Sequence, residues 1–140
     1  MPFLIAYRKH IDSMHTRELR LPEGERHERL GTELCTIDGV TYISLPDGAQ
    51  LPTGQPAEIL ASIEQLPTPL PAELRDQIKL ASPHVRLINE RVRAAIAERY
   101  SLADEIKLLR TAPSPEMQAY DAYAEECRAW GRAEKAKLGL

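Results

Sequence analysis

Three helix-start signals divide the C-terminal half of this chain and constrain its fold more than any other feature. They are Ser82-Pro83, Ser101 with Asp104 three residues on, and Ser114-Pro115-Glu116. A serine at the N-cap offers its hydroxyl to the free amides of the first turn. A proline at the first helical position costs nothing, because that amide has no helical acceptor. The Ser101/Asp104 pair has the spacing of a capping box. Pro113 stops the second helix. The expectation is three helices, the first ending at Tyr100-Ser101 and the last running from Pro115 to about Lys137. Lys135 and Lys137 suit the negative end of that last helix, and Gly139 suits its terminating position.

The apolar positions fit this division. Val85, Ile88, Val92, Ala95 and Ile96 recur at three- and four-residue spacing, an amphipathic stripe. Leu102, Ile106 and Leu109 form an apolar edge on the second helix. Tyr120, Tyr123, Cys127 and Trp130 follow a 3-4-3 pattern along one face of the third.

The front half reads differently. Phe3 to Tyr7 is a short apolar run and a candidate strand. Arg8 to Arg29 is rich in charge and histidine and is assigned to loop and exposed helix, with Leu19 off the face that Ile11, Met14 and Leu21 could share. Leu34–Ile37 and Val40–Leu45 flank Asp38-Gly39. That dipeptide suits a type I′ turn, in which both central residues take positive φ. The turn pairs Ile37 with Val40, Thr36 with Thr41 and Cys35 with Tyr42. Cys35, Ile37, Val40 and Tyr42 then share one face, and Leu34, Ile43 and the threonine pair the other. Both faces are partly apolar, so the hairpin needs cover on each, with Phe3–Tyr7 as third strand. Most of the eleven prolines lie between Pro46 and Pro83. Ala57–Leu66 fits a short helix with Pro56 at its first position. Pro67-Thr-Pro-Leu-Pro71 reads as a stiff connector, and about Ala72–Leu80 as another short helix. The fold class is therefore α+β: a small antiparallel β element at the N-terminus (residues 1–52), a Pro-rich middle with short helices (53–83) and a helical C-terminal region (84–140).

Composition narrows function. A net charge of −3 carries no basic excess that would suit nucleic acid. Arg86, Arg91, Arg93 and Arg99 alternate with Glu90 and Glu98, the pattern of a solvated helix face. No segment approaches the roughly 18 apolar residues of a membrane span. Phe3–Ala6 is too short for a signal-peptide core, which predicts a cytoplasmic protein. Cys35 and Cys127 make no disulfide framework and are read as free thiols. His10, His15 and His27, with Cys35, match no zinc-ligand spacing, so no metal or other cofactor is assigned. Cys127 has no histidine base near it in sequence. Glu125-Glu126 beside Arg128 and Arg132 read as an ion-paired surface rather than an acid/base pair. Gly24, Gly31 and Gly39 are not spaced as a phosphate loop. No catalytic residue is assigned.

Aromatic side chains on one face of a terminal helix bury large area and dominate interfaces. The candidate partner-binding residues are therefore Tyr120, Tyr123, Cys127 and Trp130, with Arg128 and Arg132 at the rim; packing of the same aromatic face against the chain's own Val85–Tyr100 helix is the alternative, and the two are not exclusive.

Ile106-Lys-Leu-Leu-Arg110, Pro113-Ser114, Tyr120-Asp-Ala-Tyr123 and Cys127-Arg-Ala-Trp-Gly-Arg-Ala-Glu-Lys135 carry a resemblance. The region 84–140 resembles the C-terminal part of small proteins encoded among bacteriophage and prophage tail genes, near tail-fibre genes. A weaker echo lies in Pro52–Ile59. The resemblance implies a non-enzymatic virion component at the baseplate, tail tip or fibre attachment, made in the host cytoplasm and oligomeric in the assembly. Its implied partners are tail-fibre, receptor-binding or baseplate proteins. The alternative it implies is a tail-fibre assembly chaperone that is not retained. Such chaperones often end in a Trp-Pro type segment. This chain ends Lys-Leu-Gly-Leu140, which favours the virion component.

Overall fold

The computed structural model describes residues 1–140 and divides into two units. The first is Met1–His84 with the C-terminal Lys137–Leu140. The second is Val85–Ala136.

The first unit is built on a four-stranded antiparallel sheet. Its strands are β1 (Phe3–Tyr7), β4 (Thr32–Ile37), β5 (Val40–Leu45) and β6 (Glu64–Gln65), in the order β4-β5-β1-β6. Asp38 and Gly39 take φ of 50° and 80°, the left-handed pair that a type I′ turn requires. The turn sets Ile37 opposite Val40, Thr36 opposite Thr41 and Cys35 opposite Tyr42, as the dipeptide predicts. The threonine hydroxyls are 2.9 Å apart and hydrogen-bonded. β1 is the third strand, with Ile5 opposite Ile43.

Both sheet faces are covered. On one, Ile5, Tyr7, Ile43 and Leu45 pack with Leu19 and Ile59. On the other, Leu4, Leu34 and Cys35 pack with Leu70 and Ile78, and the C-terminal Leu138 and Leu140 lie against them. Leu45, Ile59 and Ile78 are fully buried, each worth about 1.5–3 kcal/mol of transfer free energy.

Four local readings are corrected. Leu34 joins Cys35 rather than Ile43, because a bulge between Glu33 and Cys35 shifts the register there and moves the side chain to the other face. Residues 8–29 contain no helix. They hold two short paired strands, β2 (His10–Ile11) and β3 (Thr16–Arg17), and a Glu23–Arg29 bridge. The Asp12 carboxylate accepts the Met14 and His15 amides at 2.8 Å each, which closes a turn where a helix would have to run. Leu19, off the expected helix face, is a core residue. The helix expected over 57–66 is only α1 (Ala57–Leu60), with Pro56 at its cap rather than its first turn. The Ser62 hydroxyl donates to the Ile59 carbonyl at 2.7 Å and accepts the Arg8 amide at 3.0 Å. These bonds compete with helical ones, and the chain turns into β6 alongside β1. Residues 53–83, read as a stiff connector with short helices, lie within the first unit. Leu70 and Ile78, on α2 (Ala72–Ala81) or just before it, are core residues.

The second unit contains the three helices that the cap signals mark. They are α3 (Pro83–Arg99), α4 (Leu102–Arg110) and α5 (Pro115–Lys137), the first and last extending past the unit's ends. Ser101 Oγ accepts the Asp104 amide at 3.1 Å and Asp104 Oδ2 accepts the Ser101 amide at 2.9 Å, a complete capping box. Ser114 Oγ accepts the Met117 amide at 3.0 Å.

Candidate docking groove on the helical unit

The sequence-assigned residues of α5 divide between internal packing and a groove. Tyr120 packs edge-on against Tyr100, ring centres 5.0 Å apart, and its hydroxyl donates to Glu105 Oε1 at 3.0 Å. Burial first, then this carboxylate, raises the pKa of its phenol. Tyr123 donates to the Ala95 carbonyl at 3.0 Å, under the Arg99 guanidinium at 4.6 Å from the ring centre. Its phenol pKa is raised mainly by hydrogen bonding with Cys127. Both tyrosine hydroxyls are thus committed within the unit, and one edge of Tyr123 remains available.

The close approach of α5 to α3 rests on small residues. Ala124 and Gly131, two turns apart, are the buried positions of α5. A Cβ at Gly131 would stand 2.7 Å from Val92 Cγ2. Beside this seam, Val92, Ala95, Tyr123, Cys127 and Trp130 line a groove of about 320 Å³, with Arg91 and Glu126 also at its edge. The lining is mostly apolar. Trp130 remains 42% exposed there, unusual for the largest apolar side chain. Arg128 is exposed, and Arg132 is exposed and paired with Glu125 on the same helix. The structure therefore brings Tyr123, Cys127 and Trp130 together in one groove. It sets Tyr120 against Tyr100 and Glu105, away from the groove, and the two arginines outside the lining. Val92 and Gly131 were missed as a matched pair. The signal available was a lone glycine inside a strong helical pattern, which marks close packing. The apolar edge of α4 is also uncovered: Leu102 is 72% and Leu109 67% exposed.

Other reactive groups are placed as follows. Both cysteines are free. Cys35 is buried against the sheet, and burial pushes its thiol pKa up, away from the reactive thiolate. In the first unit a larger cavity of about 710 Å³ is lined by Tyr7, Glu18, Arg20, Glu23, Arg29 and Glu33 among others. Lys9 sits 2.8 Å from Glu33 and 3.4 Å from Glu18, so one ammonium bridges the two carboxylates. The Lys9 pKa is raised, chiefly by its hydrogen bond to Glu33. His27 pairs with Glu23 at 3.3 Å. His10 and His15 do converge, on Asp12 rather than on His27 or Cys35.

A scan against protein-family models and searches of curated proteins and of solved structures find no match to this chain. No helix is long and apolar enough to cross a membrane.

Proposed function

We propose that this chain is a non-enzymatic bacteriophage tail protein, retained in the virion at the baseplate or tail tip, where it helps attach a tail-fibre or receptor-binding protein. The observation that carries the docking part is Trp130, half-exposed in an apolar groove on helices locked by caps and by the Gly131–Val92 approach. Tryptophan, with tyrosine and arginine, is enriched among the residues that anchor interfaces. Assignment to a phage tail rests on the resemblance of residues 84–140. A tail-fibre assembly chaperone is the second reading. The uncovered Leu102/Ile106/Leu109 edge favours it, because transient cover of a folding chain needs exposed apolar surface.

The test is a photo-crosslinking amino acid in place of Trp130, which is exposed enough to accept it. Irradiation of purified particles is expected to join the chain to a fibre, receptor-binding or baseplate protein. Adducts confined to the chain itself would contradict the docking role.

A further inference from the structure

We propose that His10, Asp12 and His15 form a binding site for a late first-row divalent cation, with zinc the ion to test. Their ligand atoms all lie within 4.8 Å of one another. The backbone creates this convergence. His10 opens β2 and Asp12 directly follows its last residue, and the two-residue spacing of an extended chain sets both on one side. The Asp12 amide donates to the His15 carbonyl at 3.1 Å and returns His15 to that side at the start of β3.

The carboxylate is held for the purpose. Asp12 Oδ1 accepts the amides of Met14 and His15. Its other oxygen, Oδ2, is left facing His10 Nε2 at 3.2 Å. A ligand oriented by fixed outer donors is the usual arrangement at metal sites. His15 Nδ1 lies 3.5 Å from Oδ1. These two separations are long for hydrogen bonds between charged partners. They run to different oxygens of the Asp12 carboxylate, so a tetrahedral zinc site, with corners about 3.3–3.5 Å apart for bonds of about 2.0–2.1 Å, forms when the three ligand atoms, within 4.8 Å of one another, draw in around one oxygen. Two imidazoles and one carboxylate suit zinc, copper or nickel rather than magnesium or calcium, which prefer oxygen donors alone. The three side chains are each a little over one-third exposed (37–39%), which leaves an open side for a water as fourth ligand. His27 provides the contrast. It meets one carboxylate, Glu23, and no third donor.

The proposal is independent of the tail reading. Its test is calorimetric titration of tag-free, chelator-treated protein with zinc chloride, with cobalt(II) absorption as a second probe of geometry. One zinc per chain is expected. His10→Ala and His15→Ala should each weaken binding roughly tenfold or more, and His27→Ala should leave it unchanged. His15→Gln, which keeps size and polarity on an exposed turn, guards against loss through misfolding and should also lose binding. No saturable binding at millimolar zinc would overturn the proposal, as would a His27→Ala loss equal to that of His15→Ala.

Discussion

A methyl group added at position 131 would meet the stiffest kind of neighbour. Val92 is β-branched, and in a helix its side chain holds essentially one rotamer, so the 2.7 Å approach cannot be relieved by a swing of Cγ2. Gly131→Ala gains about 1 kcal/mol of helix propensity but meets about 1–3 kcal/mol of overpacking. A net loss of about 1 kcal/mol is expected in chemical denaturation. Val92→Ala in the same chain should reverse the sign, leaving Gly131→Ala stabilising. If Gly131→Ala stabilises the protein on its own, α3 and α5 do not meet as described. Little at this scale is legible in sequence. The aromatic spacing marks the face of α5, but which aromatics stay exposed depends on partners in space. Tyr120 finds Glu105 and Tyr123 finds Ala95, both distant along the chain, whereas Trp130 has neither.

At the scale of elements, caps and turn residues are read most faithfully because they act locally. Asp38-Gly39 dictates its hairpin register without reference to the rest of the chain. The Ser101/Asp104 box does the same for α4, where it matters more. That helix has nine residues and buries none of its side chains, and helices of this length are marginal in water. Ser101→Ala should cost about 1 kcal/mol. The box also carries a pH signature. The Ser101 backbone amide, then its hydroxyl, holds the Asp104 carboxyl below its ordinary range. A depressed folded pKa stabilises fully above the unfolded value of about 4 and is lost as pH falls through the folded one. The helical circular dichroism should therefore drop on acidification below about pH 4, and Asp104→Asn should shrink that step. An unchanged step would assign it to other carboxylates. Elements that failed to show in the sequence were ended by side-chain bonds, one distant and one local. Ser62 closes α1 through an amide of β1's continuation, and Asp12 folds its own turn inside a stretch with helical spacing.

At the scale of the molecule, the α+β division follows from two incompatible periodicities, two residues in the front half and three to four in the back. The proline-rich middle shows why composition misleads about packing. Prolines suggest a stiff spacer, yet Leu70 between two of them and Ile78 beyond are core residues of the first unit. The C-terminal Leu138 and Leu140 complete that same core, so the segment after α5 serves the sheet rather than the helical unit. The molecule thus presents a well-covered sheet and a helical unit whose apolar groove and α4 edge are uncovered. Apolar surfaces of this kind on an otherwise satisfied fold are candidate docking sites. The tail proposal is tested most directly by quantitative mass spectrometry of gradient-purified particles from cells that carry the gene, scaled to a known tail protein. The virion-component account predicts the chain at a fixed few-fold ratio to that protein across gradient fractions. Its presence in the lysate and absence from the particles would contradict that account.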